Sequence, residues 1–102
     1  MELFQVVLPL FDNAGNKLQR PLFTRTVSEL TDKFGGATAF TRNPAEGFWE
    51  NPGGRVTRDE VIVVEVLVRE PDDTWWADYK RTLEARFKQD TILIRAVPCR
   101  QV

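Results

Sequence analysis

The sequence predicts an α+β domain with the element order βαββαβ and a four-stranded antiparallel sheet. Its most informative segment is Val61–Val68, which reads VIVVEVLV and is apolar on both faces of a strand except at Glu65. Each half of the chain also contains apolar residues at helical spacing between two strand-like segments. A strand, a helix and a strand therefore occur in each half, and a turn-rich middle joins them.

The first half begins with a strand and continues with a helix. Leu3–Phe11 is predicted as the first strand, because its even-numbered positions from 4 to 10 are all apolar. Asp12–Asn16 has the composition of a turn. A helix follows with Pro21 in its first turn, and Gly35 and Gly36 end it because glycine readily adopts the left-handed conformation of a C-cap. Its apolar stripe consists of Phe23, Val27, Leu30 and Phe34.

The middle of the chain is predicted to be one long, bent β-hairpin over residues 37–69. Ala37–Arg42 forms its first strand, and Pro44 then interrupts the pairing because proline cannot donate a backbone hydrogen bond. Asn51–Gly54 is a strong turn signal, with proline and glycine at central positions. Arg55–Arg69 returns as the third strand of the domain.

The second half repeats the order of helix and strand. Asp72 or Asp73 is expected to cap the second helix, since a carboxylate accepts hydrogen bonds from the unpaired N–H groups of the first turn. Thr91–Val97 is predicted as the last strand, because apolar residues recur at every second position. The apolar stripe of the second helix consists of Trp76, Tyr79, Leu83 and Phe87.

This element order resembles the ferredoxin-like, or split βαβ, fold. The resemblance covers most of the chain, and it implies the strand order 4-1-3-2 with both helices on one face of the sheet. Nine even-numbered residues of the first, third and fourth strands are apolar and are expected to face the helices. They are Phe4, Val6 and Leu8, Ile62, Val64 and Val66, and Ile92, Ile94 and Ala96.

The opposite face of the predicted sheet is also mostly apolar, with one polar residue near the middle of three strands. A face of this composition is normally covered. The chain resembles small bacterial ferredoxin-like domains that dimerise through this face into an α+β barrel, and the resemblance implies a homodimer. The residues of this face are Leu3, Gln5, Val7, Val63, Glu65, Leu67, Leu93 and Arg95.

The polar residues of this face are the first candidates for a site. Gln5, Glu65 and Arg95 share it if the fourth, first and third strands are neighbours. One interpretation is a polar patch that fixes the register of the dimer. Another is a pocket in which Glu65 acts as a base and Arg95 holds an anionic group of a substrate. Tyr79 is the third residue that would be suspected in an enzyme.

Apolar residues supply the candidates for an interface. Val63 and Leu67 lie on the second face of the predicted sheet, and Phe48 and Trp49 lie in the hairpin arm. Tryptophan is enriched in interface cores, so Trp49 is expected to anchor packing, with ligand stacking as the alternative.

Composition excludes several function classes. The 102 residues carry a net charge of −1, and Lys80, Arg81, Arg86 and Lys88 are interspersed with acidic residues, so we expect a solvated mixed-charge surface and no nucleic-acid binding. There is no histidine, one cysteine and no nucleotide-binding loop, so we expect no metal and no cofactor. No apolar run approaches a membrane span and no signal peptide is evident, so we expect no membrane contact and a cytoplasmic location.

The sequence thus predicts one domain over residues 1–102. Its expected function is that of a small soluble binding or interaction module that assembles through the open face of its sheet, with a second copy or a small-molecule ligand as partner. The alternative is an enzyme of the dimeric α+β barrel type, such as a cofactor-independent oxygenase or isomerase.

Overall fold

A computed structural model describes residues 1–42 and 60–102. The element order βαββαβ is confirmed. The elements are β1 (Glu2–Pro9), α1 (Arg20–Phe34), β2 (Thr38–Arg42), β3 (Val61–Val68), α2 (Asp73–Arg86) and β4 (Leu93–Pro98).

The four strands form one antiparallel sheet in the order β2-β3-β1-β4, which is the order predicted from the ferredoxin-like topology. β2 and β3 pair as the two strands of a hairpin, with Thr38 opposite Glu65. The bend predicted for this hairpin lies outside the described residues, and so do Phe48 and Trp49. The β1 register places Gln5 opposite both Glu65 of β3 and Arg95 of β4.

Both helices begin where the sequence predicts, and α1 also ends where it predicts. Pro21 lies in the first turn of α1, and Gly35 ends this helix with φ of 80° and an N–H that donates to the Thr31 carbonyl. The side chain of Asp72 caps α2 by accepting a hydrogen bond from the Trp75 N–H at 3.1 Å. Glycine and aspartate each satisfy backbone groups that a helix terminus leaves unpaired.

The core lies between the helices and one face of the sheet. The predicted stripe of α2, from Trp76 to Phe87, is buried throughout. Phe4 of β1 stacks on Trp76 with ring centroids 4.2 Å apart, and Phe23 of α1 meets Phe87 edge to face at 5.1 Å. Each buried large side chain contributes about 1.5–3 kcal/mol, so this layer holds both helices on the same face.

The outer strand β4 departs from the predicted pattern. Ile92 is buried but precedes β4, and its N–H donates to the Glu84 carboxylate at 3.3 Å. Ile94 is half-buried, whereas Ala96 is exposed although its parity directs it to the helix side. Ala96 faces the helix side as predicted, but it stays exposed because an open cleft of about 410 Å³ separates it from Ala77 and Lys80 of α2.

Candidate functional site

The face of the sheet opposite the helices, called here the open face, is organised in three rows that cross the strands. The strand register sets these rows. The middle row is polar and the two flanking rows are apolar. The middle row consists of Arg95, Gln5, Glu65 and Thr38. One flanking row consists of Leu93, Val7, Val63 and Phe40. The other consists of Val97, Leu3 and Leu67.

The polar row is a chain of two short hydrogen bonds. Arg95 Nε donates to Gln5 Oε1 at 2.6 Å, and Gln5 Nε2 donates to Glu65 Oε2 at 2.7 Å. The structure therefore brings together the three polar residues that the sequence places on one face. Gln5 lies between the two charges, and within residues 1–42 and 60–102 neither Glu65 nor Arg95 forms a salt bridge. Among the described residues, Gln5 is the side-chain partner of each of these two charges.

The flanking rows expose apolar side chains to solvent. Leu67 is 43% exposed, Leu93 is 53% exposed and Val97 is 45% exposed. Val63, the other interface candidate on this face, is only 2% exposed, between its cross-strand neighbours Val7 and Phe40. Leu67 can therefore contribute contact area to a partner, whereas Val63 contributes chiefly to the fold of the chain itself.

A cleft of about 660 Å³ opens beside the polar row, between the C-terminal end of α1 and the end of β3. Its lining is mixed, with apolar side chains, the polar side chains of Thr38 and Gln101, the carboxylate of Glu65, the guanidinium of Arg69, and Met1. Among its lining residues are Leu3, Phe34, Thr38, Glu65, Leu67 and Arg69.

Tyr79 lies on the helix side of the sheet, away from Glu65 and Arg95. Its hydroxyl donates to Glu29 Oε1 at 3.0 Å. Burial, followed by the neighbouring Glu29 carboxylate, raises the pKa of Tyr79 well above its usual value of 10.0. The structure does not bring the three suspected catalytic residues into one site, and Tyr79 is held in its neutral form.

The environment of Tyr79 is a polar network between the helices that the sequence does not reveal. Arg86 Nη1 donates to Glu29 Oε1 at 2.7 Å and to Thr26 Oγ1 at 2.9 Å, and its Nη2 donates to Glu29 Oε2 at 3.0 Å. The Arg86 side chain is 7% exposed, so its assignment to a solvated surface was wrong. The signal in the sequence that could have indicated this network is the position of its residues. Thr26 and Glu29 flank the apolar stripe of α1, and Arg86 directly precedes Phe87.

Residues 1–42 and 60–102 contain neither a membrane-spanning helix nor a cluster of metal-binding side chains. No helix there has the length and apolarity needed to span a bilayer. No three histidine, cysteine, aspartate or glutamate side chains cluster as metal ligands in those residues.

Comparison with known proteins supports the fold. No protein-family model matches the chain, and no curated protein has a significantly similar sequence. A phage SAM lyase in complex with S-methyl-5'-thioadenosine superposes with a TM-score of 0.62 and 10% identity, covering 94% of this chain and 79% of the lyase chain. A point mutant of CutA1 from Pyrococcus horikoshii OT3 superposes with a TM-score of 0.57 and 16% identity, covering 100% of this chain and 86% of that chain. Identities this low show a shared ferredoxin-like architecture alone.

Proposed function

We propose that this protein is a single-domain interaction module that forms a homodimer by packing its open face against the open face of a second copy. The observation that carries the proposal is that the apolar rows on either side of the polar row each contain two exposed side chains, Phe40 and Leu93 in one row and Leu67 and Val97 in the other. Exposed apolar side chains such as Leu67 and Leu93 gain free energy when a partner removes them from water.

The charges of the polar row are self-complementary under a two-fold rotation. Arg95 and Glu65 lie on the strands at either side of β1, each directly opposite Gln5. A two-fold axis parallel to β1 and passing above Gln5 places Arg95 over the partner's Glu65, and Glu65 over the partner's Arg95. A closed two-fold dimer needs this kind of surface, because the same patch is used on both subunits.

The same rotation also matches the apolar rows. It places Val97 over the partner's Leu67 and Leu93 over the strand position of the partner's buried Val63, while Leu3 and Val7 meet their own copies. The strands of the two sheets then run in nearly the same direction, which is the aligned arrangement that twisted sheets adopt when they pack face to face. An axis perpendicular to the strands would instead place Arg95 over the partner's Arg95, which like-charge repulsion opposes.

Charge reversal with mixing tests the proposal. Arg95→Glu alone and Glu65→Arg alone each place like charges opposite one another, so each variant is expected to be monomeric. An equimolar mixture is expected to form a heterodimer, because both intermolecular ion pairs are then restored. Light scattering after size-exclusion chromatography gives the mass, and native mass spectrometry identifies the mixed species. Arg81→Glu, on the exposed surface of α2, is the matched control.

The mixing step separates a contact between chains from the hydrogen-bonded row within one chain. A mixture that stays monomeric contradicts the proposed face, and so do single variants that remain as dimeric as the wild type. A wild-type protein that is monomeric at micromolar concentration contradicts assembly altogether.

The enzymatic alternative has less support. Its three suspected residues are divided between the two sides of the sheet, with Tyr79 held by Glu29 and Arg86. The likeness to the SAM lyase is a likeness of fold, and it transfers no reaction to this chain. We also propose a cytoplasmic location, since the single free cysteine, Cys99, belongs to no disulfide framework.

A further inference from the structure

We propose that the cleft between α1 and β3 binds a small amphipathic zwitterion of amino-acid size. The inference depends on the geometry of one chain and goes beyond the proposed assembly, with which the cleft shares Glu65, Leu3 and Leu67. The cleft measures about 660 Å³, and pockets for small ligands span roughly 300–1,000 Å³.

Two opposite charges line the cleft on the same side of β3. Glu65 and Arg69 are four residues apart with Leu67 between them, so all three side chains leave the same face of the extended chain. Their Cα atoms are separated by roughly 13 Å at about 3.3 Å per residue. This separation leaves room for a compact ligand whose ammonium group meets Glu65 and whose carboxylate meets Arg69.

Both charges have unused capacity for a ligand. The one side-chain hydrogen bond of Glu65 among the described residues comes from Gln5 and uses Oε2, and a carboxylate offers about four acceptor sites in all. Within residues 1–42 and 60–102, Arg69 forms no salt bridge. A guanidinium offers two parallel donors that match a carboxylate, so Arg69 suits the anionic end of a zwitterion.

The apolar walls account for the rest of the ligand. Leu67 and Leu3 lie between the two charges as cross-strand neighbours. Phe34 forms the opposite wall, and its ring is fixed by stacking on Trp76 with centroids 5.4 Å apart. At Gly35 and Gly36 no heavy atom lies within 4 Å of the position a side chain would take, so the wall between α1 and β2 leaves space for an aliphatic group. A zwitterion with an aliphatic side chain satisfies both charges and this surface together.

Three probe molecules test whether Glu65 and Arg69 both contribute to binding of the ligand. Leucine carries both groups, isoamylamine lacks the carboxylate, and 4-methylpentanoate lacks the ammonium group. Amide shifts in ¹H–¹⁵N spectra give the dissociation constants. Leucine is expected to bind about tenfold more tightly than either analogue, with the largest shifts at Leu3, Leu67, Gly35 and Gly36.

Substitution of each charge then assigns its partner. Arg69→Gln is expected to reduce the affinity for leucine to that for isoamylamine, and Glu65→Gln is expected to reduce it to that for 4-methylpentanoate. Arg81→Gln, on α2, is the control and should leave all three affinities unchanged. Equal affinities of the wild type for leucine and isoamylamine overturn the proposal, as does an absence of shifts with leucine at millimolar concentration.

Light scattering on the same samples keeps this inference separate from the proposed dimer. Arg69 belongs to neither of the intermolecular ion pairs. Arg69→Gln should therefore reduce the affinity for leucine without changing the mass of the assembly. Because the proposed dimer covers Glu65, Leu3 and Leu67, the Arg95→Glu monomer is tested with leucine as well: a monomer of this variant that does not bind leucine contradicts the ligand alone, whereas a wild-type monomer that binds it contradicts the assembly alone.

Discussion

The two polar networks of this molecule lie on opposite sides of the same sheet and differ in whether they are closed. On the helix side, Glu29 accepts hydrogen bonds from Tyr79 and from both terminal nitrogens of Arg86. On the open face, the chain from Arg95 through Gln5 to Glu65 has a charge at each end and no ion pair between them. A closed network stabilises the fold, whereas an open one in an apolar surface can be completed by another molecule.

The apolar surfaces on the two sides of the sheet also differ: the helix side is buried, and the open face is partly exposed. β1 turns Phe4, Val6 and Leu8 into the core, where Val6 and Leu8 have no exposed area. Its alternate residues Leu3 and Val7 remain half-buried on the open face. We infer that the helix side carries the stability of the isolated chain and that the open face carries its recognition. The following predictions test that separation, beginning with the largest effect.

Removing the same side chain from the two surfaces should have very different costs. Leu83 of α2 has no exposed area, so Leu83→Ala is expected to lower the free energy of unfolding by about 2–5 kcal/mol. Leu93 of β4 is 53% exposed, so Leu93→Ala should change the free energy of unfolding of the monomer by less than about 0.5 kcal/mol. Urea unfolding at low protein concentration measures both. Similar losses would mean that the open face is part of the core.

An equivalent pair of substitutions compares the two networks. Arg86→Met removes the bidentate pair with Glu29 and leaves this partly buried carboxylate with the Tyr79 hydroxyl and a longer, exposed contact to Arg25 at 3.5 Å, so a loss of about 1–3 kcal/mol in unfolding free energy is expected. Arg95→Met removes an exposed cation and should cost about 0–1 kcal/mol. The two curves are compared by chemical denaturation under conditions where the protein is monomeric. Equal costs would show that the network between the helices is not closed in solution.

A charge placed in the apolar row should affect assembly and leave the fold intact. Leu67→Glu is expected to weaken dimerisation at least about tenfold, because it desolvates a carboxylate among apolar side chains. Ala85→Glu adds the same group to the exposed surface of α2 and is the control. Sedimentation equilibrium gives the dissociation constants. Retention of wild-type affinity by the Leu67 variant would show that another surface forms the dimer.

The sequence was sufficient for the fold because its local signals agree. Alternation in β1 and β3, the glycine after α1 and the aspartate before α2 each fix one element, and the topology then brings Gln5 between Glu65 and Arg95. The network around Arg86 could not be predicted in the same way. Its burial depends on the distance between two helices, and the residue pattern of either helix alone leaves this arginine at the border of the apolar stripe.

The cleft was not predictable from periodicity either. It depends on how far the end of α1 lies from β3, which is set by tertiary packing of Phe34 on Trp76. Ala96 shows the same limit, since its parity is right but an open cleft between it and α2 leaves it exposed. Residue pattern therefore gives the side of the sheet on which a residue lies, and packing decides whether it is covered there.

The pH dependence of stability should show the contribution of the hydrogen bonds between Arg86 and Glu29. The hydrogen bonds from Arg86 hold the pKa of Glu29 below its usual 4.5. A carboxyl group whose pKa is lower in the folded state stabilises the fold above its unfolded pKa, and this contribution is lost as the pH falls through the folded value. The stability difference between wild type and Glu29→Gln should therefore be present at neutral pH and shrink below about pH 4.5. A difference that does not vary with pH would show that the pairing is too weak to matter.

The smallest expected effect is that the Tyr79 hydroxyl does not titrate in the folded protein. Tyr79 is the one tyrosine of the chain, so phenolate absorbance at 295 nm reports this residue alone. Burial and the Glu29 carboxylate raise its pKa, so the folded protein should show no phenolate at pH 10, and the signal should appear only as the chain unfolds. Tyr79→Phe provides the baseline. Titration near pH 10 in the folded state would place the hydroxyl in water and return Tyr79 to the list of groups that a substrate could reach.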